Sequence, residues 1–461
     1  MRVFLIRPLC VVEEPEFAEP LGIERLAGYL LARGIRDVHL FDRRLYERER
    51  DAGIAAGTFW DDVRSAVAEG MPDVIGVSLM TSSDVRDASR VLVRLRSMCP
   101  GVRLVAGGLH VTMAREDVAR MLPRGTELIA GEGEGPLYAL VSGTPHVSSL
   151  TPDDWACAHR PHLERYAVLG CAVNMQTSRG CPGTCAFCAT PGLPASLRAW
   201  RPRRVGLVAD EMESVARRLE AAGLPAVCNF VDDDFGPLER LEELAAELAR
   251  REDLRVTYSC EMRMRTLTHA RNLGRRLKSL HETGLTRIFV GVESLDPDTL
   301  EQWHKRYDVG RLPHVVRAFD ESGVRLQAGY IMWHADQTVR GALEEAQGLH
   351  RLGLYAHQAA TSRMIVFPGC ALAEEAGSVD GLEPLTAHAQ EFYQTFLRET
   401  EDLRRRWMRA AIAEPHATAT AWLTGDDGRA TALNDELREV NELSYAAFTT
   451  LAESFVTGQD V

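Results

Sequence analysis

The chain of 461 residues has no apolar run approaching the roughly 20 residues that cross a bilayer. Its opening, MRVFLIRPLC, reads as a buried β-strand. It lacks the long apolar stretch and small-residue cleavage site of a secretory signal, so a cytoplasmic protein with no membrane partner is expected. A basic excess is missing too: 66 acidic residues against 53 basic ones leave a net charge of −13. Surfaces that bind phosphate backbones usually carry the opposite balance, so nucleic acid is not expected as a partner. A small cationic substrate would suit the charge. No internal repeat or low-complexity tract is present. Paired cysteines are also lacking. Seven of the ten (Cys10, Cys99, Cys157, Cys171, Cys228, Cys260 and Cys370) are scattered and read as packing residues in a reducing compartment.

What remains is an ordinary globular composition, 45% hydrophobic and 26% charged, long enough for two or three domains. The first 140 residues alternate strand and helix signals. Strands are expected at 3–6, 37–42, 73–79, 102–108 and 126–131, with helices over 21–32 and 84–98 and a Pro/Glu-rich loop after the first strand. That alternation predicts a doubly wound, Rossmann-like parallel sheet over 1–145, with ligands at the carboxyl ends of its strands. Residues 146–171 lose periodicity and read as a linker. From 172 to 370, six strand signals (173–178, 226–231, 255–260, 287–293, 326–332 and 363–367) alternate with helices such as Val208, Met212, Val215 and Leu219 on one face. A partial (β/α)6 barrel follows, with its chemistry at the carboxyl ends of the strands. Residues 371–461 read as a charged helical extension. The fold class is therefore α/β.

TSRGCPGTCAFCATPG, just after the first barrel strand, places Cys181, Cys185 and Cys188 at spacings of four and three. Such a loop wraps one face of an iron–sulfur cube, and a set of three leaves one iron open where four cysteines are usual. Arg179 adds positive charge beside an anionic cluster. Zinc would need a fourth ligand such as His159 or Cys171, and neither has a zinc-ribbon spacing.

C-x-x-x-C-x-x-C with Phe187 before the last cysteine resembles the signature of the radical S-adenosylmethionine (SAM) superfamily. The resemblance implies a [4Fe–4S] cluster on Cys181, Cys185 and Cys188, with SAM on the open iron. Reductive cleavage of SAM then gives a 5′-deoxyadenosyl radical that abstracts hydrogen from an unactivated C–H bond. It implies a small-molecule substrate and an external one-electron donor such as a flavodoxin or ferredoxin. Phe187 would lie against the adenine. In FVDDDF, Asp233 or Asp232 would hold SAM's ammonium, and in CEMRMR, Arg263 would pair with its carboxylate. GVES resembles the ribose-contacting segment and nominates Glu293 and Ser294; FPG, with Gly369, resembles the adenine-side backbone contact. Where relatives carry G-x-P-x-E-T, this chain reads YIMWHADQT, so Trp333, His334 and Asp336 are expected to shape an individual pocket.

RPL…PLGIERLAGYLLARG, GVSLMTSS, GGLH and GEGE resemble the cobalamin-binding-type domain that precedes many radical SAM barrels. The histidine-ligating D-x-H-x-x-G motif is absent: Asp37-Val38-His39 falls within a strand and lacks the glycine. Cobalamin stays an open cofactor, since histidine-off members lack the motif too. Size, layout and a short extension resemble the radical diol-dehydratases of aminoglycoside antibiotic biosynthesis. That implies hydrogen abstraction from a hydroxylated amino-sugar carbon followed by dehydration, with Glu261 and His334 as base and acid. The alternative is a cobalamin-dependent C-methyltransferase of natural-product biosynthesis. A non-catalytic cobalamin or redox sensor would lack the full set of barrel motifs, and a methylthiotransferase of transfer RNA would need basic surface.

Overall fold

The computed structural model describes residues 1–10, 17–54, 57–145, 150–376 and 381–457. Within the expected Pro/Glu-rich loop and linker, residues 11–16 and 146–149 lie outside the described residues. The chain forms two compact units: 1–175 with 202–207 and 218–224, and 176–201 with 208–217 and 225–461. No helix among the described residues is long and apolar enough to cross a membrane.

The first unit is built on β1 (Arg2–Arg7), β2 (Asp37–Asp42), β3 (Val74–Ser78), β4 (Arg103–Gly107) and β5 (Glu127–Leu128). All pair in parallel, in the order β2-β1-β3-β4-β5. Alternate residues of β1 serve opposite cores. Phe4 and Ile6 pack with Phe41, Ile75, Val77 and Leu92, while Val3 and Leu5 pack with Ile23, Ala27 and Leu30 of helix Leu21–Ala32. A sheet covered on both faces in this way reads as apolar runs rather than alternation. The chain leaves β1 toward β2 and returns to β3, so a topological switch point lies between β1 and β3. His39 sits inside β2, hydrogen-bonded to Asp37 at 2.8 Å, so it is part of the sheet.

The second unit carries a parallel run of β6 (Val227–Phe230), β7 (Thr257–Arg263), β8 (Leu285–Glu293) and β9 (Arg325–Tyr330). One face holds Cys228, Phe230, Tyr258, Cys260, Ile288 and Val290, all at most 1% exposed. The other is polar and partly open: Asn229, Ser259, Glu261, Arg263, Arg287, Gln327. Helices 205–221, 238–249, 273–282 and 312–320 connect the strands, and the polar face is the inner one. The expected sixth strand is much reduced. Arg363 bridges Trp333 in parallel, and then Ile365–Val366 turns to pair antiparallel with Gly381–Leu382. Helices 387–399, 401–424 and 428–457 form the C-terminal region, with Gly425 in the left-handed conformation between the last two. Trp333 is fully buried among Phe392, Tyr393 and Phe448, so it is a core residue and not a pocket wall.

Candidate active site

Cys181, Cys185 and Cys188 are free thiols, each partly exposed, on the loop that follows Ser178–Arg179. Backbone hydrogen bonds shape this loop. The N–H of Cys181 donates to Arg198 O (3.0 Å), that of Ala186 to Trp303 O (2.9 Å), and Leu372 N–H reaches Ala186 O (3.3 Å). N–H groups also point at sulfur, from Gly183 to Cys181 (3.3 Å) and from Thr190 to Cys188 (3.4 Å). A Cβ on Gly183 would lie 3.3 Å from the Cys181 sulfur, a tight contact, and in ordinary contact with the Cys185 sulfur (3.9 Å) and Arg263 Cδ (4.0 Å), so a side chain here would crowd the Cys181 sulfur. Burial pushes the Cys181 thiol up to about 11 and raises Cys185 as well, with Lys305 opposing at Cys185. Such thiols need bound metal to become thiolates.

The three residues fit a [4Fe–4S] cluster and not a single ion. Among the described residues, no three or more His, Cys, Asp or Glu side chains gather as one ion requires. Thiolates on a cube bind different irons and need not converge on one point.

Around the loop, the acidic turn 232–234 divides its work. Asp232 is buried, and its oxygens accept from Thr177 N–H (2.7 Å), Thr177 Oγ1 (2.6 Å) and Ser178 N–H (2.7 Å). Burial raises it to about 6. Asp234, equally buried, accepts from Arg263 Nε at 2.6 Å. Asp233 is exposed between them and accepts from the N–H of Gly180. Arg263 ends β7 with its Nε fixed on Asp234, and its two terminal nitrogens have no partner among the described residues.

At the end of β8, Glu293 takes φ +71 beside a register shift between Gly291 and Glu293. A non-glycine residue held there marks strain of the kind that collects at functional sites. Ser294 is buried and donates to Glu345 Oε1 (2.7 Å), which also accepts from the N–H groups of Leu295 and Asp296. Phe187 meets Trp303 edge-on (5.7 Å), and Trp303 meets His334 edge-on on its other side (5.0 Å). Burial lowers the His334 imidazole, although Asp336 and Asp296 oppose this. Gly369, at φ +78, presents its carbonyl where a Cβ on Gly192 would come within 1.9 Å. Glu261 lies further down the inner face, with its backbone carbonyl accepting from Phe235 N–H (2.9 Å). The structure thus gathers Phe187, Asp233, Arg263 and Glu293 near the cysteine loop, while Asp232 and Ser294 are spent on internal bonds.

Two residues escaped the sequence reading. Trp303 links the cysteine loop to the 333–336 turn, and Lys305 pairs with Glu293 at 2.8 Å with its ammonium 5.8 Å from the Phe187 ring centre. EQWHKRYD carries no motif, and only the fold brings it to the cluster end.

In the first unit, the switch point is bordered by Leu9, whose N–H donates to Asp87 (2.8 Å), and by Cys10 against Ser83 (2.9 Å). Met80 and Leu109, at the ends of β3 and β4, are 54% and 37% exposed. Gly108 (φ +108) allows the β4 turn, because a Cβ there would strike Leu79 O at 2.3 Å. An open apolar rim at a switch point fits a large, partly apolar ligand such as cobalamin.

A doubly wound domain and a parallel α/β unit with three thiols at its strand ends define a class of iron–sulfur enzyme. Residues 175–338 match the radical SAM superfamily and residues 11–141 the B12 binding domain. The chain thus carries a radical SAM domain and a B12-binding domain, and a radical SAM domain implies a [4Fe–4S] cluster and SAM.

It is 24% identical to an anaerobic magnesium-protoporphyrin IX monomethyl ester cyclase of Rubrivivax gelatinosus, over 76% of this chain and 66% of that protein. It is 25% identical to a hopanoid C-3 methylase of Methylococcus capsulatus, over 68% of this chain and 61% of that protein. The chain thus spans a little under two thirds of each of these relatives. The cobalamin-dependent SAM radical enzyme OxsB, solved with aqua-cobalamin and SAM, superposes over all of this chain and 80% of its own, with a TM-score of 0.72 and 14% identity. That likeness concerns the fold.

Proposed function

We propose that this protein is a cobalamin-dependent radical SAM enzyme that places a methyl group on an unactivated carbon of a small molecule. The observation that carries this reading is a B12-binding domain joined in one chain to the cysteine loop 181–188. One relative named above is a methylase and none is a dehydratase by name. Methyl transfer therefore moves ahead of the radical dehydration expected from size and layout, and the aminoglycoside subgroup and antibiotic biosynthesis gain no support from these relatives.

When bound, the cofactors supply an electron, a hydrogen-abstracting radical and a methyl carrier. The chain's residues bind and orient them. Cys181, Cys185 and Cys188 hold the cluster. Arg263, braced by Asp234, offers its terminal nitrogens to SAM's carboxylate. Asp233 takes the ammonium, because Asp232 is already saturated by Thr177 and Ser178. Glu293, held by Lys305, faces the ribose. Phe187, fixed by Trp303, and the backbone at Gly369 enclose the adenine. Ser294 and Glu345 set the turn that carries Glu293. Methyl transfer expels no hydroxyl, so this reading gives His334 and Glu261 no acid or base duty. The domains run 1–145, 172–370 and 371–461 with a linker at 146–171. The protein works in the cytoplasm, with a flavodoxin or ferredoxin as donor.

The test is anaerobic reconstitution with iron, sulfide and hydroxocobalamin, then desalting and an absorption spectrum, followed by SAM and reductant. Retained cobalamin with S-adenosylhomocysteine and 5′-deoxyadenosine both formed is the expected result. A cluster without cobalamin, and 5′-deoxyadenosine alone, would return the reading to dehydration.

A further inference from the structure

The inner face of the second unit is arranged in levels along the strands. At the carboxyl end lie Arg263 and the Glu293–Lys305 pair, the latter directly over Gly291. One level down, Phe289 lies across Gly329, where a Cβ would come within 2.6 Å of its ring. Below it, Ser259 pairs in register with Arg287, and Arg287 with Arg325.

The charges at these levels are mostly cancelled. Arg263 has Asp234, Lys305 has Glu293, and Arg325 has Glu414 on helix Glu401–Thr424. Arg287 is different. Its guanidinium reaches Gln327 Oε1 (2.8 Å), Asn229 Oδ1 (3.5 Å) and Ser259 Oγ (3.5 Å), all neutral, and it makes no ion pair among the described residues. A partly buried guanidinium solvated only by neutral amides and a hydroxyl is a poor end state and a good anion receptor, because its planar fork matches carboxylate and phosphate oxygens.

We infer that Arg287, positioned by Gln327, Asn229 and Ser259, binds an anionic group of the substrate, a carboxylate or a phosphate. Four residues of β7 separate the Ser259 level from Arg263, roughly 13 Å at a strand rise of about 3.3 Å per residue. The substrate is thus an elongated molecule whose anionic end sits about that far below the cluster end, where the reacting carbon lies. This deepens the proposed function by naming its substrate class. It also reverses the cationic preference suggested by the net charge.

The test uses the full chain with its cluster rebuilt and SAM saturating, so that Arg263 is occupied. Arginines are labelled with phenylglyoxal and located by peptide mass spectrometry, with inorganic phosphate and propionate as separate probes. Slower labelling of Arg287 by either probe is expected, phosphate alone pointing to a phosphorylated end and propionate alone to a carboxylate. By isothermal titration, the probe's affinity should fall roughly tenfold or more in Arg287→Gln, the loss of a charge-assisted bond, and partly recover in Arg287→Lys. Labelling that neither probe slows, or an Arg287 that does not label at all, would overturn the inference. If Arg287→Gln does not fold, the wild-type footprint decides alone. The assay needs neither cobalamin nor turnover, so its failure is separable from failure of the methyl-transfer reading.

Discussion

Glu293 and Lys305 are joined by an ion pair 2.8 Å long, and Glu293 reaches it from a left-handed backbone. Both side chains are mostly buried, 13% and 14% exposed. Burial alone would pull the Lys305 ammonium down, but the Glu293 carboxylate holds it above its ordinary value. The pair compensates a strained residue next to the cysteine loop.

Removing one partner leaves a buried charge alone. Lys305→Met is expected to cost about 3 kcal/mol in the denaturant unfolding of the second unit, with Lys305→Arg recovering most of it. A Lys305→Met variant as stable as the wild type would show that the pair does not hold the turn.

Replacing Cys181, Cys185 or Cys188 singly with Ala should remove the cluster's visible absorbance and abolish 5′-deoxyadenosine formation from SAM. Cys228 or Cys260, buried on the opposite face of the sheet, should tolerate Ser or Ala with the cluster retained. Full SAM cleavage by a Cys185→Ala variant would remove the basis of the site.

Asp232 keeps its proton up to about pH 6 in the folded chain, against an ordinary value of 3.8. Folding therefore takes up a proton between these values, and Asp232 makes stability fall as pH rises through this window. Asp232→Asn should flatten that slope between about pH 4 and 6, measured as denaturant midpoints. An unchanged slope would mean that Asp232 titrates near its ordinary value.

No histidine lies between β1 and helix Leu21–Ala32, and His39 is committed to β2. Bound cobalamin is then expected without a protein imidazole on cobalt. Electron paramagnetic resonance of the reduced cobalt form should lack nitrogen splitting, and His39→Ala should leave cobalamin retention unchanged. A nitrogen-split signal lost in a histidine variant would refute this.

Much of this fold is legible in one sequence, because strands buried on both faces leave apolar runs and helices leave a 3.6-residue period. Strand β2 and helix Leu21–Ala32 fall where the pattern puts them. The strand expected at 363–367 does not, since only Arg363 bridges to Trp333 before the chain turns away. Local spacing also nominates the cysteines, which share one loop. It cannot separate Asp232, Asp233 and Asp234, which differ in what folds against them: Thr177, Gly180 and Arg263 come from elsewhere in the chain. Trp303 and Lys305 carry no local signal, and Trp333 looked like a pocket residue because its aromatic partners lie more than fifty residues away.

The root of the cysteine loop is tied to the neighbouring turn by the three bonds of Asp232, and its span is pegged at Cys181 and Ala186 by the backbone of Arg198 and Trp303. None of these ties involves a sulfur atom. The frame of the loop thus rests on main-chain and carboxylate bonds, apart from the side chains that would bind iron. Loss of one cysteine side chain should therefore leave the loop's backbone ties in place, whereas loss of the Asp232 carboxylate should release its root.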